Sequence, residues 1–506
     1  MKKLISLVLA LTMVLMAVAA FAAAGDLTVD ATVSVGGLET GDTVKAYQFI
    51  TWSEADNEWK VAADVGLSLD DIKDGLTIEE LATLAKNVSK MTEVTDGTIS
   101  NGTWTKTCGT IATAGSYLVL ITSGTNEYVY NPAVVSADFN DTNSSAIMLT
   151  SNDAKIKKQK ITMDKDTDNK PDDYDVQVGD IVPFTVTVTV PQFNDNWTEP
   201  TFEVTDTLST GLTIKTLPTI AGLEEGADKD YVLTGEVGGS TFKIAFTEKY
   251  LKNNASKVVE IKYSALVGEG VKDTAQVNEE TNTVTLTFSN DPTNKDSHKT
   301  IEDETHHYTF AIDGNRYGSD SEKTTELIKV GVDANGEPIT IISEGATLPT
   351  GVSPLEGAEF TLTGVGPNGT GTYSMTATSD ADGRMFFNNL EVGTYTLTET
   401  KAPAGYMKDP AEHTVVISAE YYDDGLLKSY SIKIDNNDIA SYTSTTEGEE
   451  VKTIDKGENK SFPINDPKGT ELPSTGGIGT TIFYIVGGLL LVGAAVILVA
   501  RRKAQD

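Results

Sequence analysis

The stretch FTVTVTV at residues 184–190 alternates polar and apolar side chains with a period of two. This spacing is typical of a β-strand that turns one face to a hydrophobic core and the other to water. The stretches at 284–288 (VTLTF) and 395–398 (YTLT) repeat the pattern, and Gly, Asn and Asp cluster between such runs as turns. Many short alternating strands predict an all-β protein of tandem immunoglobulin-like β-sandwich domains.

A helical signal lies near residues 78–90. Thr77 precedes Glu80 by three positions, which is the spacing of a capping box, and apolar residues follow at helical intervals. We therefore expect one short helix in the N-terminal part of a chain that is otherwise built from strands.

Composition excludes several classes of function. The chain has 506 residues, of which 39 are basic and 74 acidic, and a formal net charge of -35. This acidity argues against a nucleic-acid partner, because phosphate binding needs a basic surface. The single cysteine, Cys108, allows neither an internal disulfide nor a cysteine-rich zinc site. We expect no metal, no cofactor and no enzymatic activity, since no nucleophile–base arrangement is recognisable in the sequence.

The length of the chain predicts about three domains. Polar, charge-rich stretches at 151–160 and 291–304 mark the expected junctions between them. We predict an N-terminal β-sandwich domain over 25–153, a middle domain over 154–297 and a C-terminal domain over 298–470.

Both ends of the chain read as targeting segments. Residues 1–24 combine a basic start, an apolar run and a small-residue end, which is typical of a secretory signal peptide. Near the other end, LPSTGG at 472–477 precedes an apolar segment at 482–500 and the basic residues RRK at 501–503. The apolar segment has the length of a transmembrane helix, and the basic tail is expected on the cytoplasmic side.

These three parts, over residues 471–506, resemble in their order the cell-wall sorting signal of Gram-positive surface proteins. The resemblance implies that a sortase thiolate cuts between Thr475 and Gly476 and leaves Thr475 as a thioester for an amine to attack. The alternative is a plain single-pass anchor in which the motif is only a linker. The motif residues are Leu472, Pro473, Ser474, Thr475 and Gly476.

The middle segment contains FEVTDTL at 202–208 and closes with LTFSNDP at 286–292. It resembles the isopeptide-forming domain of fimbrial backbone subunits. The resemblance implies that Lys165 and Asn290 form an intramolecular amide bond, and that Asp206 promotes its formation.

The acidic run DKDTDNK at 164–170, which surrounds this lysine, has a calcium-binding loop as its alternative interpretation. The run lacks the turn glycine and the later bidentate glutamate of an EF-hand, so we favour the lysine's role in a bond. Lys160 is the weaker candidate for the same role.

The C-terminal segment carries YTLTETKAPAGY at 395–406, after LIK at 327–329. It resembles the collagen-adhesin B-type domain of pilins. The bonded pair that this resemblance implies is Lys329 and Asn465, with Glu399 as the promoting acid.

Burial would make such a bond chemically accessible. A lysine in an apolar core has a lowered pKa, which favours the neutral, nucleophilic amine. A buried carboxyl group has a raised pKa, so it can stay protonated and donate a hydrogen bond to the carboxamide oxygen. Attack by the amine then releases ammonia, and the fold supplies the proximity that the reaction needs.

A sortase substrate becomes a pilus shaft when it also offers an amine to the Thr475 of the next subunit. In the fimbrial backbone family this amine belongs to a Tyr-Pro-Lys motif at the end of the N-terminal domain. The present chain has AKIKKQK at 154–160 instead. We expect Lys155 or Lys157 to supply the amine, with Lys158 as a further candidate; the alternative is a solvated basic linker.

The sequence therefore predicts a secreted, wall-anchored shaft subunit of a surface pilus that supports adhesion. Its expected partners are pilin-specific and housekeeping sortases, copies of itself, minor pilins, peptidoglycan and a host surface ligand. The alternative function is that of a wall-anchored adhesin or minor pilin, which binds a host ligand and is not polymerised.

Overall fold

The computed structural model describes most of residues 31–503. The positions left out within that range are 57, 73–74, 126, 140–148, 169, 171–173, 270–273, 293, 318, 320, 448–449, 458 and 470–477. The predicted signal peptide at 1–24 therefore lies outside the described residues.

The N-terminal part forms two larger sheets and two hairpin-sized ones. The larger sheets have the strand orders β12-β1-β7-β6 and β11-β10-β8-β2-β5, and β13 pairs with β9 and β3 with β4. Apolar side chains of these strands form one continuous core. The strands are β1 (Ala31–Gly36), β2 (Thr43–Gln48), β3 (Ile50–Ser53), β4 (Glu58–Val61), β5 (Thr92–Val94), β6 (Thr98–Ser100), β7 (Thr103–Cys108), β8 (Gly115–Thr122), β9 (Tyr128–Tyr130), β10 (Ala133–Phe139), β11 (Leu149–Thr150), β12 (Asn152–Lys155) and β13 (Lys158–Lys160).

Two short helices, α1 (Leu69–Ile72) and α2 (Ile78–Lys86), interrupt these strands. The predicted capping box is confirmed at α2, where the Thr77 side chain accepts from the Glu80 backbone and the Glu80 carboxylate accepts from the Thr77 backbone. The α-helix ends earlier than predicted, and a single 3₁₀ turn covers the last residues of the helical pattern.

The middle part is a sandwich of two antiparallel sheets. One has the order β14-β15-β20-β17, and the other contains the run β18-β19-β16-β21-β22. The stretch 184–190 falls largely in β15, whose residues alternate between buried and partly exposed as predicted. The strands are β14 (Met163–Thr167), β15 (Ile181–Thr189), β16 (Phe202–Leu208), β17 (Leu212–Ile220), β18 (Tyr231–Thr234), β19 (Thr241–Phe246), β20 (Val258–Val267), β21 (Val277–Ser289) and β22 (His298–Ile312).

A further short helix, α3 (Glu248–Asn253), follows β19 and was not predicted. It begins at Thr247, whose side chain accepts a hydrogen bond from the Tyr250 backbone. Six residues are too few to reveal helical periodicity in the sequence, so only its cap could have indicated it.

The C-terminal part is again a pair of sheets around an apolar core. Their orders are β24-β34-β23-β25 and β27-β26-β29-β30-β31-β32-β33, and β23 and β34 lie side by side in parallel. The strands are β23 (Leu327–Val332), β24 (Ile342–Ser343), β25 (Val352–Pro354), β26 (Glu359–Val365), β27 (Thr372–Thr378), β28 (Phe387–Leu390), β29 (Gly393–Lys401), β30 (Glu412–Tyr421), β31 (Leu427–Ile434), β32 (Asn437–Glu447), β33 (Glu450–Asp455) and β34 (Lys460–Pro467). The predicted all-β class, built from tandem β-sandwiches, is confirmed.

The chain divides into two compact units. One holds the described residues of 31–174, 179–271 and 280–307, and the other holds 175–178, 272–279 and the chain from 308 onward. The predicted N-terminal and middle domains thus fall in one unit. Strand β13 pairs with β9, so the N-terminal sheets reach a few residues past the predicted boundary.

The last described element is α4 (Ile478–Lys503). Within the part of the chain that the structure describes, no helix is both long enough and apolar enough to cross a membrane. The transmembrane segment predicted over 482–500 is therefore not supported.

Candidate functional site

Lys165 is the centre of a buried polar cluster in the middle sandwich. It lies on β14, whose alternation turns Lys165 and Thr167 into the core. Its side chain is fully buried, and its ammonium group forms an ion pair with the equally buried Asp206 of the facing sheet. The Lys165 Nζ also donates to the hydroxyl of Tyr263 on β20, at 2.8 Å. The structure thus brings together the lysine and the acid that the sequence predicted.

Burial changes the protonation chemistry of this pair. Loss of solvent lowers the pKa of Lys165 to about 8, against the opposing effect of the Asp206 charge. Burial likewise raises the pKa of Asp206, although the lysine works in the other direction. Both shifts favour the neutral forms, so burial lowers the cost of moving a proton from the ammonium to the carboxylate, which would leave a neutral amine beside a neutral acid.

Asn282 is the carboxamide that completes this cluster. It lies on β21, is completely buried, and donates from Nδ2 to the Tyr263 hydroxyl at 2.8 Å. The register of β16 and β21 pairs Asp206 with Val284, which places Asn282 diagonally across from the acid. The same hydroxyl therefore touches both the lysine amine and the Asn282 amide.

The predicted partner, Asn290, is not part of the cluster. It follows the end of β21, six positions beyond Val284, so it is displaced by about 20 Å along the strand direction from the residue that pairs with Asp206. Its Oδ1 instead accepts a hydrogen bond from Ser297 at 3.0 Å. The structure corrects the predicted pair, since it brings Asn282 and not Asn290 to this site.

A second buried cluster surrounds Lys329 in the C-terminal sandwich. Lys329 lies on β23 and is completely buried. Its Nζ lies 2.9 Å from Glu399 Oε2 on the facing sheet and forms a second ion pair with Asp466 on the neighbouring strand β34. The Glu399 Oε2 atom also accepts from the Asp409 backbone at 2.8 Å, which fixes the carboxylate. Lysine and promoting acid are again together as predicted.

The predicted partner Asn465 points away from this lysine. Successive residues of a strand face opposite sides, and in β34 Ile464 and Asp466 are buried whereas Asn465 between them is only partly buried. The Asn465 side chain instead makes two hydrogen bonds of 2.9 Å to the backbone of Ile339. The structure therefore corrects the predicted pair: the carboxyl group beside Lys329 is that of Asp466. Burial raises the pKa of Asp466 to about 6, so its neutral form is more populated near neutral pH than that of an ordinary aspartate.

The lysines at the predicted junction differ in their surroundings. Lys155 and Lys157 are exposed. Lys158 is partly buried, and its Nζ donates to the Gly37 carbonyl at 3.0 Å and forms an ion pair with Glu39. The same nitrogen lies 4.4 Å from the centre of the Tyr128 ring. Lys158 is therefore the one of the three that is held in a defined position.

The sortase motif at 472–476 lies outside the described residues. Among the residues that are described, no group of three or more His, Cys, Asp or Glu side chains could hold a metal ion.

Two segments match models of known protein families. Residues 349–437 match the SpaA model, described as a prealbumin-like fold domain. Residues 464–506 match the model of the LPXTG cell wall anchor motif. The first match falls inside the segment for which a collagen-adhesin B-type domain was predicted, and that more specific assignment stays a prediction.

The similarity to one known surface protein covers almost the whole chain. The chain is 25% identical to the trypsin-resistant surface T6 protein of Streptococcus pyogenes serotype M6, over 94% of this chain and 95% of that protein. The solved structure of the T6 backbone pilin of the same serotype superposes with a TM-score of 0.59 at 18% identity, over 87% of this chain and 99% of that one. This structural likeness establishes a common fold.

Proposed function

We infer that this chain is the backbone subunit of a sortase-assembled surface pilus, anchored to the wall of a Gram-positive cell. The observation that carries this function is the similarity to the T6 protein over almost the full length of both chains. Two proteins that shared only one domain would not be similar over such a length. The cell wall anchor motif at 464–506 supports the same function, since it is the substrate that covalent anchoring needs.

Assembly would proceed through the C-terminal motif. A sortase thiolate attacks the Thr475 carbonyl, the bond to Gly476 breaks, and Thr475 is held as a thioester. An amine from the next subunit releases the enzyme and forms an amide, which extends the polymer. The last subunit is transferred in the same way to peptidoglycan. Pilin-specific and housekeeping sortases, minor pilins and a host surface ligand are the further partners that we propose.

We propose Lys158 as the amine that joins one subunit to the next. Ordered polymerisation needs an amine in a fixed place, and the contacts with Glu39 and the Tyr128 ring support this role for Lys158. The Glu39 carboxylate is also placed to accept the proton that an ammonium must lose before it can attack. Lys155 and Lys157, which the sequence favoured, have exposed side chains without such a setting.

Lys158→Ala is expected to abolish polymer formation. Wall extracts of cells that express the chain would be boiled in detergent and blotted, and the wild type is expected to give a ladder of high-mass bands. Lys158→Ala should give one monomer band, because the thioester then has no positioned amine to react with.

Lys155→Ala and Lys157→Ala are the matched controls and should retain the ladder. If the ladder persisted in Lys158→Ala and disappeared in Lys157→Ala, the proposal for Lys158 would be wrong, and Lys157 would be the amine that joins the subunits. A single sharp band from the wild type would contradict the shaft function and favour the wall-anchored adhesin or minor pilin.

We further propose that each sandwich is braced by an intramolecular amide bond. In the middle part, Lys165 would bond to Asn282 and release ammonia, with Asp206 as the promoting acid. In the C-terminal part, Lys329 would bond to Asp466 and release water, with Glu399 as the promoting acid. Burial and a nearby carboxyl group support both bonds. Lys329 and Asp466 are in direct contact, whereas Lys165 and Asn282 are both hydrogen-bonded to the Tyr263 hydroxyl. The chain would act only on itself in this chemistry and would need no cofactor.

A further inference from the structure

The Tyr263 hydroxyl lies at the centre of the Lys165 cluster, in contact with three polar groups. It accepts from Lys165 Nζ and from Asn282 Nδ2, each at 2.8 Å, and donates to Asp206 Oδ2 at 2.7 Å. A phenol offers one donor and two acceptor positions, so these bonds use its full capacity. Its ring is held by Phe184 and Phe242, whose centres lie 5.2 and 4.8 Å away.

Bond formation at this site requires the net transfer of one proton from one nitrogen atom to another. When Lys165 Nζ bonds to the Asn282 carbonyl carbon, Nζ must lose a proton. The Asn282 Nδ2 atom must gain one, because it leaves as ammonia. The two nitrogens are the atoms that the Tyr263 oxygen already contacts.

We propose that Tyr263 is a catalytic residue that relays a proton between these two nitrogens. As the bond from Nζ to carbon forms, the tyrosine oxygen takes a proton from Nζ, and the phenolic proton leaves its hydrogen bond to Asp206 and passes to Nδ2. The bond from carbon to Nδ2 then breaks and ammonia leaves. One amine and one carboxamide are consumed, one amide and one ammonia are formed, and the tyrosine ends with the proton count that it began with.

The charges around the hydroxyl fit this role. Burial and the neighbouring Asp206 raise the pKa of Tyr263 well above its ordinary value, so the hydroxyl remains neutral and gains one proton as it gives up another. Within the described structure, Asp206 Oδ1 and Asn282 Oδ1 are both buried without a hydrogen-bond partner. In this proposal a proton on Asp206 serves the carboxamide oxygen, and the exchange between the nitrogens falls to the tyrosine.

The inference rests on the proposed bond from Lys165 to Asn282, and its test follows how fast that bond forms. The full chain would be made in a short cell-free pulse, and the peptide that joins Lys165 to Asn282 would be quantified by mass spectrometry over time. Tyr263→Phe keeps the ring and removes only the hydroxyl. Loss of a positioned proton carrier is expected to slow bond formation by about 100-fold or more.

Tyr250→Phe is the matched control, because the Tyr250 hydroxyl is buried in the same unit without a hydrogen-bond partner in the described structure. It should leave the rate unchanged. The effect of the Tyr263 hydroxyl on folding is measured separately in the Lys165→Ala background, where no bond can form. There the added Tyr263→Phe change should leave the melting temperature within a few degrees.

Two results would overturn the relay. One is bond formation at the wild-type rate in Tyr263→Phe. The other is an unfolded Lys165→Ala/Tyr263→Phe chain, because the slow rate would then reflect folding and not proton transfer. A wild-type chain without the joined peptide would instead remove the proposed bond itself, which is a separate failure.

Discussion

Asp466→Asn is expected to change the leaving group of the C-terminal bond from water to ammonia. The reason is that Asp466, and not Asn465, presents its side chain to Lys329 in the buried cluster. The intact mass of the wild-type C-terminal unit should fall short of the sequence mass by one water. In Asp466→Asn the deficit should become one ammonia, since the same carbon then carries nitrogen.

Asp466→Ala is expected to abolish this bond. The two residues are 137 positions apart, and in the chain-entropy model a cross-link that closes so long a loop stabilises the folded state by about 5 kcal/mol. The free energy of unfolding, measured with guanidinium, should fall by about that amount, which is comparable to the whole stability of many domains.

Asn465→Ala is the matched control, because it removes the neighbouring side chain on the opposite face of the same strand. It should keep the deficit of one water and lose only the two hydrogen bonds to Ile339, for a cost of about 1–3 kcal/mol. A bond that survives in Asp466→Ala and disappears in Asn465→Ala would contradict the assignment and restore the pair that the sequence predicted.

Asn282→Ala is expected to abolish the bond in the middle sandwich. The wild-type deficit of one ammonia should disappear, and the free energy of unfolding should fall by about 5 kcal/mol, because the loop from Lys165 to Asn282 also exceeds a hundred residues. The joined peptide should be absent from a digest. Lys165→Ala should give the same mass result from the other side of the bond.

Asn290→Ala separates the structural assignment from the sequence prediction. Its side chain accepts a hydrogen bond from Ser297 and does not reach the lysine, so the deficit of one ammonia should persist. If Asn290→Ala removed the mass deficit while Asn282→Ala retained it, the assignment of Asn282 would be wrong. Asn290 would then be the residue that bonds to Lys165.

The alternation of side chains predicted a large part of the fold. A period of two over 184–190 correctly predicted a half-buried strand, and Thr77 and Glu80 correctly located the start of α2. The resemblances to known domains supplied the lysine and the acid that the structure brings together in each cluster.

Strand register is what the sequence alone could not supply. Asn282 and Asn290 are separated by an even number of positions, so alternation turns both to the same face. Only the pairing of Asp206 with Val284 decides which one meets the lysine. Tyr263 lies on a third strand and has no distinguishing neighbour in the sequence, so nothing before the structure linked it to the site.

The error at Asn465 has a different cause. The resemblance singled out the asparagine, whereas alternation from the buried Ile464 already pointed to Asp466. Because residues two positions apart on a strand share a face, the position of Ile464 on β34 would have indicated that Asp466 faces the core. It could not have shown that Lys329 is its neighbour, because a parallel pair such as β23 and β34 joins strands that are far apart in the sequence.

The parallel pairing of β23 and β34 has a mechanical consequence in a fibre under tension. The chain enters the C-terminal sandwich close to β23 and leaves it close to β34, so a bond between Lys329 and Asp466 would carry the load directly from one to the other. The intervening residues would lie off the load path. Their exposed turns, such as the one at 366–371, could then vary in sequence, and so change what the surface presents to a host, without weakening the fibre.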